Sequence, residues 1–178
     1  MNKKAQVWVE TVIYTLIGLA LIGIVLTIVM PKISQARDRI VIEQTIDSLN
    51  KFDGKIMEAW DWGDGNTRTI DFTMRKGELF INADSDEIVF IIGGLNKPYS
   101  EPGVEIEQGR IKILSEEGQK TSSVQLVLDY GEIADLKYNG GDIQKKFDAT
   151  SVAYSFFIDN FGREEGGLFV LDISEGSD

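Results

Sequence analysis

Histidine and cysteine are both absent from the 178 residues, so any chemistry falls to carboxylates, amines, amides and hydroxyls. That removes Ser-His-Asp catalysis, thiol nucleophiles, disulfides and zinc sites built on imidazole or thiolate. Paired acids remain. Glu116-Glu117 and Glu164-Glu165 are carboxylates of the kind that glycoside hydrolysis uses. Both pairs sit in glycine-flanked turns, where charge keeps a loop solvated, and no catalytic residue or enzymatic activity is expected. Asp61, Asp64 and Asn66 could offer oxygens to calcium, but they lack the acidic alternation and closing glutamate of a helix-loop-helix calcium site. Gly93-Gly94 and Gly140-Gly141 lack the downstream Lys-Ser/Thr of a phosphate loop. Neither a metal nor a cofactor is expected. The acid that stands out is Glu10, at the mouth of an apolar run.

From Thr11 to Met30 there are twenty residues without a charge. As a helix rising about 1.5 Å per residue they span roughly 30 Å, the thickness of a bilayer's hydrocarbon core. The run exceeds the roughly 7–15 apolar residues of a secretory signal. Val29, Met30, Pro31 and Lys32 offer no small-x-small cleavage site after it. The segment is expected to stay with the mature protein as a membrane-resident helix. Glu10 then has two readings. It lies at the headgroup boundary, where its charge costs little, or it has a partner and a task inside the apolar layer.

Its setting sharpens the second reading. Lys3 and Lys4 come first, then Ala5 and Gln6; a cut after Ala5 makes Gln6 the new amino terminus and Glu10 the fifth residue. This stretch resembles the class III signal of archaeal type IV pilin-like proteins, with a short basic leader, a cut at a small residue, glutamine first and glutamate fifth. Trp8 departs from the small polar residue that many such signals carry, and the resemblance covers only about thirty residues. It implies a prepilin-type peptidase that cuts on the cytoplasmic side and leaves the apolar run attached. It implies helices that leave the bilayer to pack into a filament with other copies or other pilin subunits. Lys4, Ala5, Gln6 and Glu10 become the processing and assembly residues, and Glu10 of one subunit neutralises the freed amine of Gln6 on a neighbour. A buried pair of this kind stabilises weakly but fixes register, because a wrong register strands a charge.

The formal charge is −11, with 18 Lys and Arg against 29 Asp and Glu. Loss of residues 1–5 removes Lys3 and Lys4, leaving 16 against 29, or −13. This balance argues against the clustered positive surface that nucleic acid requires. Basic residues flank the run on both sides, Lys3 and Lys4 before it and Lys32, Arg37 and Arg39 after it, so charge alone does not orient it. The leader implies an amino terminus inside and the acidic domain outside. No Asn-x-Ser/Thr acceptor occurs.

Past Met30 the helix is expected to continue through a bend at Pro31. Ile42, Ile46, Leu49, Phe52, Ile56 and Trp60 make an amphipathic stripe, and Asp61 to Asn66 a turn that ends it. Residues 6–60 as one helix would be roughly 80 Å long. Beyond Asn66 the period becomes alternating. Strands are expected at Ile70–Met74, Glu78–Asn82, Glu87–Ile92, Val104–Glu107, Arg110–Leu114, Ser123–Asp129, Glu132–Tyr138, Ser151–Ile158 and Gly167–Ile173, joined by glycine turns at Gly77, Gly109 and Gly131. The long loop is Gly93 to Gly103. Trp60 and Trp62 either lock the helix to the sheet or form a sugar- or surface-binding platform.

The expected fold is α+β: a long amino-terminal transmembrane and amphipathic α-helix packed on a carboxy-terminal antiparallel β-sheet domain. Its parts are a leader (1–5), an apolar transmembrane and assembly helix (6–30), an amphipathic continuation (31–62) and a β-rich globular domain (63–178). The expected function is that of a pilin-like structural subunit of a cell-surface filament, made as a membrane-anchored precursor. The alternative is an uncleaved single-pass surface protein whose β-domain binds a ligand or partner.

Overall fold

The computed structural model describes residues 3–163 and 167–176, with side chains from Trp8 onward. It is an α+β protein with two compact units, Met1–Arg37 and Asp38–Asp178. One helix, α1 (Lys3–Trp62), supplies the first unit and opens the second, and Pro31 lies inside it without ending it. Proline in mid-helix, directly after the apolar run, removes one intrahelical donor; the remaining ladder is enough to carry the helix on.

Ten strands follow among the described residues. They are β1 (Thr67–Phe72), β2 (Glu78–Asn82), β3 (Glu87–Leu95), β4 (Glu105–Gln108), β5 (Ile111–Glu117), β6 (Ser122–Asp129), β7 (Ala134–Tyr138), β8 (Gln144–Asp148), β9 (Tyr154–Arg163) and β10 (Phe169–Glu175). They form two sheets rather than the single antiparallel sheet expected. One has the order β1-β9-β10-β7, the other β4-β5-β6-β3-β2-β8. The six-stranded sheet is antiparallel throughout, whereas β10 and β7 run parallel.

Two expected hairpins are in fact crossings between sheets. β1 pairs with β9, not with β2, so the turn at Arg75–Gly77 carries the chain from one sheet to the other. At Tyr130-Gly131 the chain crosses back: Tyr130 is fully buried, and its carbonyl accepts from Ile133 N and Ala134 N. A buried aromatic at a turn anchors the crossing where a two-residue hairpin would expose it. β8 was not expected at all. Its sequence, Gln-Lys-Lys-Phe-Asp, buries only Phe147, so an edge strand with one apolar residue leaves no alternating signal.

The core is one cluster shared by α1 and both sheets. From α1 it takes Ile42, Ile46, Leu49, Phe52, Ile56 and Ala59, so the small Ala59 faces inward and Trp60 turns aside to half-burial. Phe52 sits with its ring centroid 5.7 Å from Phe72 and 5.4 Å from Phe156, both in the four-stranded sheet. Phe72 in turn lies 6.1 Å from Phe90 of β3 in the other sheet. Phe52 thus packs on the four-stranded sheet, and Phe72 carries the aromatic contact across to the six-stranded one.

Two residues from Phe52, Gly54 is exposed, and a methyl group added there would meet nothing within 4 Å. Phe52→Ala is expected to cost about 3–5 kcal/mol through an unfilled cavity, and Gly54→Ala to stabilise by about 0.5–1 kcal/mol. Thermal unfolding of the detergent-solubilised chain checks both; a lowered melting temperature in Gly54→Ala would contradict the open helix face.

Candidate functional site

The amino-terminal part of α1 differs from the rest in having no cover. From Trp8 to Met30 its large apolar side chains are exposed on consecutive positions, with Ile24 at 58%, Val25 at 55% and Leu26 at 48%. Successive helical residues point about 100° apart, so exposure of neighbours in sequence means exposure all round. A core helix hides one stripe; this segment hides none. It is long and apolar enough to cross a membrane. Each such side chain gains about 1.5–3 kcal/mol when taken out of water, so the surface requires lipid or other protein against it. Gly18 and Gly23 lie within it, and a methyl group added to either would touch nothing within 4 Å in this chain. No packing inside the chain requires their smallness.

The sequence-derived processing residues fall at the start of this helix. Lys4, Ala5 and Gln6 are in helical backbone, and their side chains lie outside the described residues. Glu10 is exposed on the helix surface, immediately before the uncharged run.

The other candidates resolve into structural roles. Asn66 spends its amide on the end of α1, donating to the Ala59 carbonyl at 2.8 Å and the Gly63 carbonyl at 2.7 Å. Asn160 Nδ2 donates to Ala59 O as well, at 2.8 Å. These bonds satisfy carbonyls that a helix terminus leaves open. Gly63 and Gly65 have φ of +80° and +77°, a conformation that glycine adopts without strain. Asp64 stands beside Gly162, where a β-carbon would come within 3.0 Å of its carboxyl carbon. The Asp61–Asn66 cluster is thus a helix-ending turn. Among the described residues no three acids gather to hold a metal ion.

The two tryptophans part company. Trp60 packs edge-on against Phe169 at 5.8 Å, while Trp62 is 74% exposed under the Arg68 guanidinium at 5.4 Å. Glu116 and Glu117 are exposed at the end of β5, and Glu164-Glu165 lies outside the described residues. Gly140 N donates to Asp172 Oδ1 at 2.8 Å in the turn after β7, whereas Gly93-Gly94 lies within β3 where its register against β6 shifts, and the Gly94 carbonyl accepts from Lys76 Nζ at 3.0 Å.

Two polar anchors escaped sequence reading. Asp53 of α1 accepts from the Tyr130 hydroxyl at 2.8 Å and pairs with Arg110 Nε at 3.2 Å, while the Arg110 guanidinium covers the Tyr130 ring. Burial, reinforced by the Asp53 charge, pushes the Tyr130 phenol well above its usual value, so it stays a neutral donor. Asp38, the first residue of the second unit, accepts from Asn96 N at 2.9 Å and Asn96 Nδ2 at 2.6 Å, with Lys76 Nζ at 3.5 Å. Neither acid belongs to a motif; each matters only because distant loops return to it.

Comparison of the chain with protein-family models, with curated proteins and with solved structures returned no match.

Burial alone would raise the Asp38 pKa, but the Asn96 donors and the Lys76 charge outweigh it and hold it below the usual carboxylate value. A depressed folded pKa stabilises fully above the unfolded value, and the gain disappears as pH falls through the folded one. Asp38→Asn is expected to lower stability near pH 7. The difference from the parent should shrink once pH drops below about 4, where free aspartate protonates. Denaturant unfolding of the two chains between neutral and acid pH measures this. A difference that grew on acidification would reverse the sign.

Proposed function

We propose that the chain is a pilin-like structural subunit of a type IV pilus-like cell-surface filament, made as a membrane-anchored precursor and assembled through its apolar helix. The observation that carries this reading is the contrast within α1. Its second half is covered by the chain's own domain, and its first half is apolar on every side. A helix of that kind first needs lipid, and copies of itself can replace lipid without any change in its sequence. The basic leader supports the reading because a cut after Ala5 frees an amine at Gln6, four residues before Glu10. In a packed array of helices, an amine of one copy and a carboxylate of the next relieve each other's desolvation only in the correct axial register. The acidic β-domain then lies outside the cell, where its charge keeps assembled subunits from aggregating. The partners are the membrane, a prepilin-type peptidase and further pilin subunits.

The same uncovered helix would also serve an uncleaved single-pass anchor whose β-domain meets a surface partner. The mass of the amino terminus separates the two. Protein from the filament fraction is expected to begin at Gln6; a chain still carrying Lys3 and Lys4 in assembled material would count against the proposal. Glu10→Ala is expected to abolish filaments, seen by electron microscopy of sheared surface material, while the variant remains in the membrane fraction. Filaments of normal abundance in that variant would remove the register role of Glu10.

A further inference from the structure

Each sheet has two outer strands, and the four are not equivalent. β7 is closed: Ala134 N donates to Tyr130 O at 2.9 Å, Leu136 N to Asp86 Oδ1 at 2.7 Å and Tyr138 N to Gly141 O at 2.9 Å. β8 carries adjacent exposed lysines, Lys145 and Lys146, a common guard against strand addition. β1 and β4 have neither closing hydrogen bonds nor adjacent lysines, and β4 carries two exposed glutamates that repel a strand of like charge. Among the described residues β1 pairs only with β9, and β4 only with β5.

Their surroundings differ in charge. Beside β1 runs a groove whose far wall is α1, formed by two adjoining cavities of about 380 and 390 Å³ that share Ser48, Lys51 and Thr73. Lys51, Lys55 and Arg75 line it against Asp47 and Asp71. Lys55 already holds Glu58 at 2.7 Å, whereas Lys51 and Arg75 form no ion pair among the described residues. β4 is Glu-Ile-Glu-Gln, and all four residues are exposed. Alternation along a strand places Glu105 and Glu107 on one side and Ile106 on the other. The nearest lysine across the ladder, Lys112, is already held by Asp129 at 3.0 Å.

We propose that the free edge of β1 receives the β4 edge of a second copy of this chain, with Glu105 and Glu107 set toward Lys51 and Arg75. The inference rests on the filament reading above and names which faces of the β-domain meet. Charge favours the pairing. Two β4 strands together would oppose glutamates, so that self-pairing is repelled, whereas the β1 groove offers Lys51 and Arg75, neither held in an ion pair among the described residues, to receive them. This contact joins unlike faces. A contact of that type does not close on itself by symmetry, and repeats into an open polymer unless its rotation makes a ring. Extended backbone donors and acceptors supply the adhesion, and the glutamates supply choice of partner.

The absence of native cysteine permits a direct test in the full chain. Thr69→Cys and Ile106→Cys are introduced together, and surface filaments are treated with a short bis-maleimide whose reach tolerates a register shift of two residues. The expected result is a ladder of covalent oligomers from the double variant and none from either single variant. Adding Lys51→Glu and Arg75→Glu is expected to lower the ladder yield by about tenfold, the effect of losing roughly 1.4 kcal/mol of contact. Filaments of normal abundance without a ladder would overturn the strand pairing and leave the filament reading intact. Dimers from a single variant would mean a self-pairing face, and products joined to a different protein would assign the groove to that partner; either result overturns the proposal. Failure of the parent chain to polymerise at all would sink both readings together.

Discussion

The domain holds together because one face of one helix completes a core that two sheets share. Ile42, Ile46, Leu49, Phe52, Ile56 and Ala59 are at most 2% exposed, and neither inner sheet face could be dry without them. A four-stranded and a six-stranded sheet with different pairings have no reason to face each other unless something apolar fills the space between. Phe52 meets the four-stranded sheet at the Phe72 and Phe156 rings, and Phe72 in turn reaches Phe90 of the six-stranded one. The polar ties at Asp38 and Asp53 then fix position rather than supply bulk. They hold the helix against the β3–β4 loop and the Tyr130 crossing, at sites where apolar contact would leave sliding cheap.

The helix was legible from sequence almost throughout. An uncharged twenty-residue run, followed by apolar residues at spacings of three and four, admits few alternatives, and Asp61 to Asn66 marks its end. The departure is local: Ala59 rather than Trp60 takes the last inward position, because a large indole fits better beside Phe169 than under the sheets. Strand positions were mostly legible too, since alternation survives in β2, β5, β6 and β7. Partnership was not. Periodicity says which face of a strand is wet but not which strand lies beside it, so β1 and β7 looked like hairpin arms when they belong to the sheet that closes with β9 and β10. β8 was invisible because the residues that make it an edge also erase its pattern.

The candidate site divides in a similar way. The apolar surface of α1 is written in the sequence and is laid bare in the structure, because apolar character is a property of residue type. The acid anchors are properties of arrangement. In the sequence Asp38 is one more charge beside Arg37 and Arg39, and Asp53 is an acid next to Phe52 with no motif around it. Nothing local announces that Asn96 or Tyr130 will arrive. Electrostatics at this protein's surface is likewise uneven in a way the total of −11 conceals. The groove beside β1 mixes Lys51, Lys55 and Arg75 with Asp47 and Asp71, while only glutamates stand charged on the β4 edge, so a net acidic molecule still presents surfaces of different character.

The pairing of β1 with β9 bridges residues as far apart as Thr67 and Asp159, a separation of 92 positions. β10 and β7 add a parallel pairing that waits on the last strand. Contacts of such long range form late and slowly. The core is therefore unfinished until β9 and β10 are made. On the proposed surface location, export through a narrow channel would meet a pliant polypeptide instead of a folded obstacle, because the topology itself delays closure until the carboxy-terminal strands are through.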